Sequence, residues 1–288
     1  MGYLVHLGII VCIYAILAMS LNLTVGYTGL MSITQAAFYG IGAYAAAILM
    51  AGYGFNFFAA LLLSIIITSA ISMVIGFVLA RFKDDYFALG SLGFNIIVYG
   101  ILVNWQSLTN GPLGIINIPR PAIFGVFLSD NIWFLALAIV FTTMTYLLCR
   151  HIGHSSFGRV LKAIREDEKA IQIFGYNTTY FKLAIFVIAA AIAAVAGALF
   201  ASYISYIDPT SFTLNESILV LAMIILGGLA NNKGAVLGAV CLVLLPEALR
   251  FVGFPDGIAA QMRQALYGVI LIILAIYRPQ GLIGEYKI

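Results

Sequence analysis

Charge is what this sequence lacks most. Its 14 Lys and Arg and 11 Asp and Glu make up 9% of 288 residues, against 63% hydrophobic residues. No soluble core needs that much apolar surface. A mean hydropathy of +1.09 with long uncharged runs implies lipid as the solvent. Cysteine is scarce too: Cys12, Cys149 and Cys241 lie far apart in apolar runs, with neither metal-ligand spacing nor a disulfide framework. They read as small buried hydrophobes. His151 and His154 have no third ligand beside them, so no metal site is expected. No G-x-x-x-x-G-K-[ST] occurs, since Asn232 and not glycine precedes Lys233, which excludes a P-loop nucleotide site on this chain. No Ser/His/Asp grouping or carboxylate pair marks an enzyme. The net charge of +3 without a basic, aromatic-studded face excludes a nucleic-acid binder. The first apolar run, from Tyr3, lacks a basic segment before it and is expected to stay as a span.

What is present is a series of runs near the length of about 20 apolar residues that a helix needs to cross hydrocarbon. They fall near 3–23, 35–51, 57–80, 86–105, 131–149, 180–203, 214–230, 234–252 and 262–278. The expected fold is all-α: a polytopic membrane protein of eight or nine transmembrane helices with broken or re-entrant pieces. Residues 1–288 are expected to form a single transmembrane domain with one substantial loop, 150–180. Alternating nine spans puts eleven basic residues on one side: Arg81, Lys83, Arg150, Arg159, Lys162, Arg165, Lys169, Lys182, Lys233, Arg278 and Lys287. Arg120, Arg250 and Arg263 fall on the other. By the positive-inside rule the first set is cytoplasmic, the N-terminus is outside and the C-terminus is inside. Two outer loops stand out, the Pro- and Gly-rich 106–130, read as an external cap or re-entrant hairpin, and 206–212.

Seven of the 25 charged residues crowd into RVLKAIREDEK, from Arg159 to Lys169. Over 157–175, Phe157, Val160, Ile164, Ile171 and Phe174 recur at near-helical spacing, with Lys162, Arg165, Glu166 and Lys169 mostly opposite. That is one amphipathic helix outside the hydrocarbon. The acidic run Glu166-Asp167-Glu168 is unusual on a basic face. Pattern alone leaves two readings, a solvated loop helix or a docking helix for a protein partner.

Two glycine-punctuated polar breaks interrupt the apolar sequence. The first, 22–44, holds Asn22, Gly26, Thr28, Gly29 and Gln35; the second, 225–239, holds Gly227 and Gly228. Irregular backbone at membrane depth must be buried in protein or line a water-filled cavity, and broken helices often form the path of transporters. GIGAYAAA, at 40–47, also fits helix packing through small residues. The two breaks loosely echo each other. Glu216 is expected near the outer interface, and Glu247 with Arg250, three apart, as a helix-face pair. Neither is a deep, unpartnered acid of the kind a proton-coupled carrier needs.

Five segments in order resemble one family, the LivM-type permease subunit of branched-chain amino acid ABC transporters. They are LNLTVGYTGLMSITQAAFYGIGAYAAA, then NGPLGI with IPRP, then GRVLKAIREDEKAIQIFGYNTTYFKLAIFVIAAAIAAVAGALFA, then DPTSFTLNESILVLAMIILGGL, and YRPQGLIG. The resemblance implies that loop 150–180 carries a coupling helix docking on a separate ATPase. Arg159, Lys162, Arg165, Glu166, Asp167, Glu168, Ala170 and Gly175 are its candidate residues. Glu168, Ala170 and Gly175 fit the ABC permease Glu-x-Ala … Gly pattern loosely, with a longer spacing before the glycine. The resemblance also implies a second related permease, two ATP-binding subunits that hold ATP and Mg, an extracytoplasmic solute-binding protein, and a bacterial or archaeal cytoplasmic (inner) membrane. This chain itself is expected to bind no cofactor. Asn22, Thr28, Gln35 and Asn95 are candidates for the substrate path, with Gly26, Gly29, Gly227 and Gly228 as hinges. Urea or short amides are the alternative cargo. A self-sufficient secondary transporter or channel is the alternative class.

A reporter domain fused after Ile288 should read as cytoplasmic in a protease-protection assay. An external signal would reverse the assigned orientation.

Overall fold

The computed structural model describes residues 2–82, 84–123, 126–127, 130–250, 268–269 and 280–283. Apart from 268–269, the ninth expected span at 262–278 lies outside the described residues, as do Lys83, Arg263, Arg278, Lys287 and the C-terminus. Among the described residues the chain is a helical bundle: α1 (Gly2–Leu21), α2 (Gln35–Ala47), α3 (Phe57–Leu79), α4 (Asp84–Asn104), the single turn α5 (Gln106–Thr109), α6 (Asn131–His154), α7 (Ser156–Glu166), α8 (Glu168–Ile173), α9 (Thr178–Ile204), α10 (Leu214–Gly227) and α11 (Asn232–Arg250). Among the described residues six helical segments are long and apolar enough to cross a membrane: Gly2–Gly26, Gln35–Gly52, Phe57–Leu79, Tyr86–Asn104, Asn131–His154 and Thr178–Ile204. The expected spans at 214–230 and 234–252 become the shorter apolar helix α10 and helix α11. Fourteen residues of α10 reach only about 21 Å at the α-helical rise.

Small residues set the centre of the bundle. Helix α9 carries Ala189, Ala190, Ala193, Ala194, Ala196, Gly197, Ala198 and Ala201, all buried. It packs along α2 so closely that a Cβ on Gly42 would strike the backbone of Ala194. One on Gly197 would overlap the carbonyl oxygen of Tyr39. The GIGAYAAA stretch thus packs backbone against backbone, the geometry that helix association in lipid favours. Aromatic side chains close the gaps around it. Phe38 meets Phe94 and Phe186 with centroids 5.4 and 5.2 Å apart, and Tyr39 meets Phe212 edge-on at 5.0 Å.

The two outer loops meet. Strand β1 (Ile115–Ile116) pairs antiparallel with β4 (Tyr206–Ile207), while β2 (Ala122–Ile123) pairs with β3 (Val126–Phe127). Residues 115–116 of segment 106–130 are thus tied to the turn after α9, and Ser202 Oγ donates to the Pro119 carbonyl at 3.0 Å beside them. Tyr3 Oη donates to the Glu247 carboxylate, and Tyr14 Oη donates to Glu216 at 2.8 Å. Both acids are therefore held by tyrosines of α1. The expected Glu247–Arg250 pairing involves the Arg250 side chain, which lies outside the described residues. The end of the bundle bearing α7 and α8 gathers Arg81, Arg165, Lys169 and Lys182 around one groove and Arg150, Lys162 and Lys233 around another.

Gly197→Leu should force α2 and α9 apart and destabilise the protein by about 3 kcal/mol or more, as overpacking against backbone does. A thermal melt in detergent should show the loss. Gly93→Leu, at a position with open space around its Cα, should melt like the parent.

Candidate coupling site

Helix α1 does not stop at Leu21. It widens into a π-helical turn, Asn22–Gly26, and resumes its α form to Thr28. Residues 29–34 then carry no helix before α2 begins at Gln35. The buried backbone groups of this break need partners, and neighbouring helices supply them. Ser91 Oγ on α4 accepts the Ile33 N–H at 2.9 Å, and Asn95 Nδ2 donates to the Ile33 carbonyl at 2.8 Å. Ser217 Oγ on α10 accepts from the Ala36 N–H at 2.8 Å and from Asn95 Nδ2 at 2.6 Å. Gln35 Nε2 donates to the Leu17 carbonyl at 3.1 Å and to Ser20 Oγ at 3.0 Å. Thr28 Oγ1 donates back to the Thr24 carbonyl at 2.6 Å and accepts from Leu30 N–H at 3.3 Å.

The second break faces the first. Helix α10 ends at Gly227, Gly228 takes φ +110° and Ala230 takes φ +62°. Asn231 Oδ1 accepts from Lys233 N–H at 3.0 Å, capping α11. The end of α10 is closed from far along the chain: Leu282 N–H donates to the Leu226 carbonyl at 2.9 Å and Ile283 N–H to that of Gly227 at 3.0 Å. A Cβ on Gly281 would lie 2.7 Å from Gly228 Cα, so the two glycines touch. The described part of the YRPQGLIG motif, 280–283, is thus the cap of the second break.

Asn22 joins the two. Its Oδ1 accepts from Ala230 N–H at 2.9 Å and its Nδ2 donates to Asn232 Oδ1 at 3.2 Å. A Cβ on Gly26 would lie 2.6 Å from Ala230 N, so glycine lets the π turn close on the opposite break.

Beneath the breaks the expected single helix at 157–175 is two. Asp167 ends α7 with extended backbone, and its Oδ1 accepts from Lys169 N–H at 2.9 Å and Ala170 N–H at 3.0 Å, starting α8. Aspartate at an N-cap outcompetes helix continuation. The faces also differ from the expected pattern. Lys162 and Arg165, assigned to the outward face, turn inward. Lys162 lies over the Tyr27 ring, 5.4 Å from its centroid, and Arg165 donates to the Gly26 carbonyl. Gly29, at φ +73°, leaves room for the Arg165 stem. Phe174, assigned to the apolar face, is 77% exposed, beside Ile173 at 86%. Glu168 turns inward as well, 2.6 Å from Lys182 Nζ and accepting from Thr178 Oγ1 at 2.9 Å. Glu166, Asp167, Lys169 and Gly175 remain exposed, Ala170 is half-buried, and Arg159 bonds locally to Ser156 at 2.8 Å.

The four path candidates are all buried, and each bonds within the bundle. Of them, Asn95 keeps an acceptor, Oδ1, without a partner. Sequence reasoning missed Ser91, Ser217, Ser20, Tyr27 and Lys182. Ser91 and Asn95 sit four apart on one helix face, a spacing visible beforehand; Ser217 and Tyr27 gave no such signal. Among the described residues no group of three or more His, Cys, Asp or Glu could hold a metal.

Comparison with known proteins agrees with this architecture. Residues 3–275 match the family described as branched-chain amino acid transport system permease component. The high-affinity branched-chain amino acid transport system permease protein LivM of Salmonella typhimurium is 34% identical over 302 residues, covering 97% of this chain and 69% of that protein. Its Escherichia coli counterpart is 33% identical with the same coverage. The probable LivM of Methanocaldococcus jannaschii is 28% identical over 96% of this chain and 92% of that protein. No solved structure matches the chain significantly.

Replacing Asn22 by Leu strands the Ala230 N–H in a dry interior, at a cost of about 1–3 kcal/mol. The variant should melt lower and lose solute uptake in vesicles. Asn22→Asp, which keeps the acceptor, should fall between it and the parent.

Proposed function

The chain belongs to the family of branched-chain amino acid transport system permease components, and from that premise we propose that it is the membrane-spanning subunit of an ATP-driven importer. It is a multi-pass membrane protein and a transport component, with no role as an enzyme of its own. In this reading residues 1–288 are one permease domain in a bacterial or archaeal cytoplasmic membrane. A second related permease lies beside it, two ATPases that hold ATP and Mg lie below, and a solute-binding protein lies above. The cargo is a branched-chain amino acid.

The observation that carries the proposal is the division of labour at Asp167. Helix α7 is bound to the membrane domain through Lys162 and Arg165, both anchored at the first break. Helix α8 is oriented by Glu168 and by Gln172 Nε2, which donates to Thr178 Oγ1 at 2.9 Å. Its end presents Ile173, Phe174 and Tyr176 to the outside, rimmed by Glu166, Asp167 and Lys169. Exposed aromatic and aliphatic anchors with a mixed-charge rim suit a protein partner. Charge complementarity fixes the register of docking. Closure of the ATPases moves α8. The Arg165–Gly26 bond passes that movement to the first break, and Asn22 passes it to the second.

Transport then exchanges two arrangements of the breaks, biased by ATP and by the loaded receptor. In the arrangement described, the bonds of Asn22, Thr28, Gln35 and Asn95 hold the path shut. Opening exposes them to the ammonium and carboxylate of the cargo while apolar walls accept its side chain. Asn95 Oδ1 is a ready acceptor for an ammonium.

Joint replacement Glu166→Arg with Ile173→Asp should leave insertion and melting unchanged. It should abolish co-purification of the ATPase in mild detergent and lower ATP-driven leucine uptake at least about tenfold, as losing an interface hot spot of roughly 2 kcal/mol implies. Glu168 is left untouched because its reversal would set two cations together at Lys182. Unchanged uptake, or uptake without ATP, would sink the proposal. Competition by urea or short amides in place of leucine would reassign the cargo.

A further inference from the structure

Three helices, the consecutive α6 and α7 and the distant α11, bring basic side chains to one concavity. Arg150 and His154 come from the end of α6, Lys162 from α7, and Lys233 from the first turn of α11. They surround a cavity of about 330 Å³ together with Tyr27 and Asn231. Among the described residues that line it, none is Asp or Glu. The positive-inside bias explains which side of a membrane these residues occupy. It does not explain why they converge on one hollow.

The walls of the hollow continue as apolar stripes. At 100° per residue, Ile132, Ile139, Thr143 and Leu147 share the face of Arg150 on α6, and all four are exposed. The rise from Arg150 back to Ile132 is about 27 Å, near the thickness of the hydrocarbon core. On α11 the face of Lys233 continues through Leu237 and Leu244, also exposed. Both helices pack on α1. A basic hollow at one end of two exposed apolar tracks has the form of a lipid seat: headgroup among cations, acyl chains along the stripes.

We propose that this cavity binds the phosphate of an anionic phospholipid on the α7/α8 side of the membrane. The ligand chemistry is a phosphate ester, which Arg receives in a fork and Lys as a point charge. Basic pockets between transmembrane helices at the cytoplasmic face bind such headgroups. The tracks favour a lipid over soluble phosphate. The site abuts both breaks, because Tyr27 follows the π turn and Asn231 lies in the second break. An occupied seat therefore braces the same backbone that the coupling segment moves.

The test is native mass spectrometry of the intact purified transporter, titrated with phosphatidylglycerol, phosphatidylcholine, glycerol phosphate or inorganic phosphate. Phosphatidylglycerol should be retained as a discrete adduct and phosphatidylcholine should not. Arg150→Gln with Lys233→Gln should weaken retention roughly tenfold to thirtyfold, the loss expected for two basic residues at a membrane surface. Arg81→Gln, which removes a charge elsewhere on the same side, should change nothing. A melt in phosphatidylcholine should be equal for all variants, so that loss of binding is not loss of fold. Retention of both lipids alike, or equal weakening by Arg81→Gln, would overturn the proposal, leaving only diffuse interfacial charge. Binding of inorganic phosphate or glycerol phosphate at this site in preference to the lipid would overturn the lipid assignment and make the ligand a soluble phosphate.

Discussion

Everything in this bundle answers to one constraint: hydrocarbon offers no partner to an open backbone group. A helix can be interrupted at membrane depth only where neighbouring side chains take up what the ladder gives away. The interruption at 29–34 is served by Ser91 and Asn95 from α4 and Ser217 from α10. The interruption at 228–231 is served by Asn22 and by the returning segment 280–283. The few polar side chains of a very apolar protein are therefore gathered where they replace water. Each is worth little as a net hydrogen bond, but its removal exposes the full desolvation cost of the group left behind. The breaks are held by a small number of bonds.

Cations play three separate parts at the end bearing α7 and α8. Lys182 neutralises Glu168 and sets the pitch of α8. Lys162 and Arg165 bind the aromatic ring and the carbonyl that flank the π turn. Arg150 and Lys233 line the hollow between α6 and α11. A count of positive residues treats them alike, yet changing each would disturb a different contact.

The membrane-spanning helices were legible because the apolar run length is itself the physical requirement. The ends of α3, α4 and α9 fall within a residue or two of the sequence expectation. The two breaks were legible as glycine with polar clusters, although the π turn keeps Asn22 and Gly26 helical and moves the true interruption to 29–34. The charged segment 157–175 was legible as an amphipathic stretch outside the spans and not as a shape. Helical periodicity sorted its residues by hydrophobicity, which is blind to a lysine that prefers a tyrosine face or an arginine that prefers a carbonyl. It was also blind to Asp167, whose cap resets the phase, so that Phe174 emerges on the outside. The β1–β4 pairing could not be read, because two-residue strands carry no alternation to detect.

The closure of α10 by residues 282 and 283 has a consequence for how the protein is made. Synthesis runs from the N-terminus, and helices enter the bilayer as they emerge. The carbonyls of Leu226 and Gly227 enter lipid long before their partners exist. Throughout that interval the nascent protein carries an open helix end in its centre, shielded only by the translocation machinery or by neighbouring helices. Residues 282 and 283 act as a latch on α10, and a polypeptide lacking them would present quality-control proteases with an open helix end.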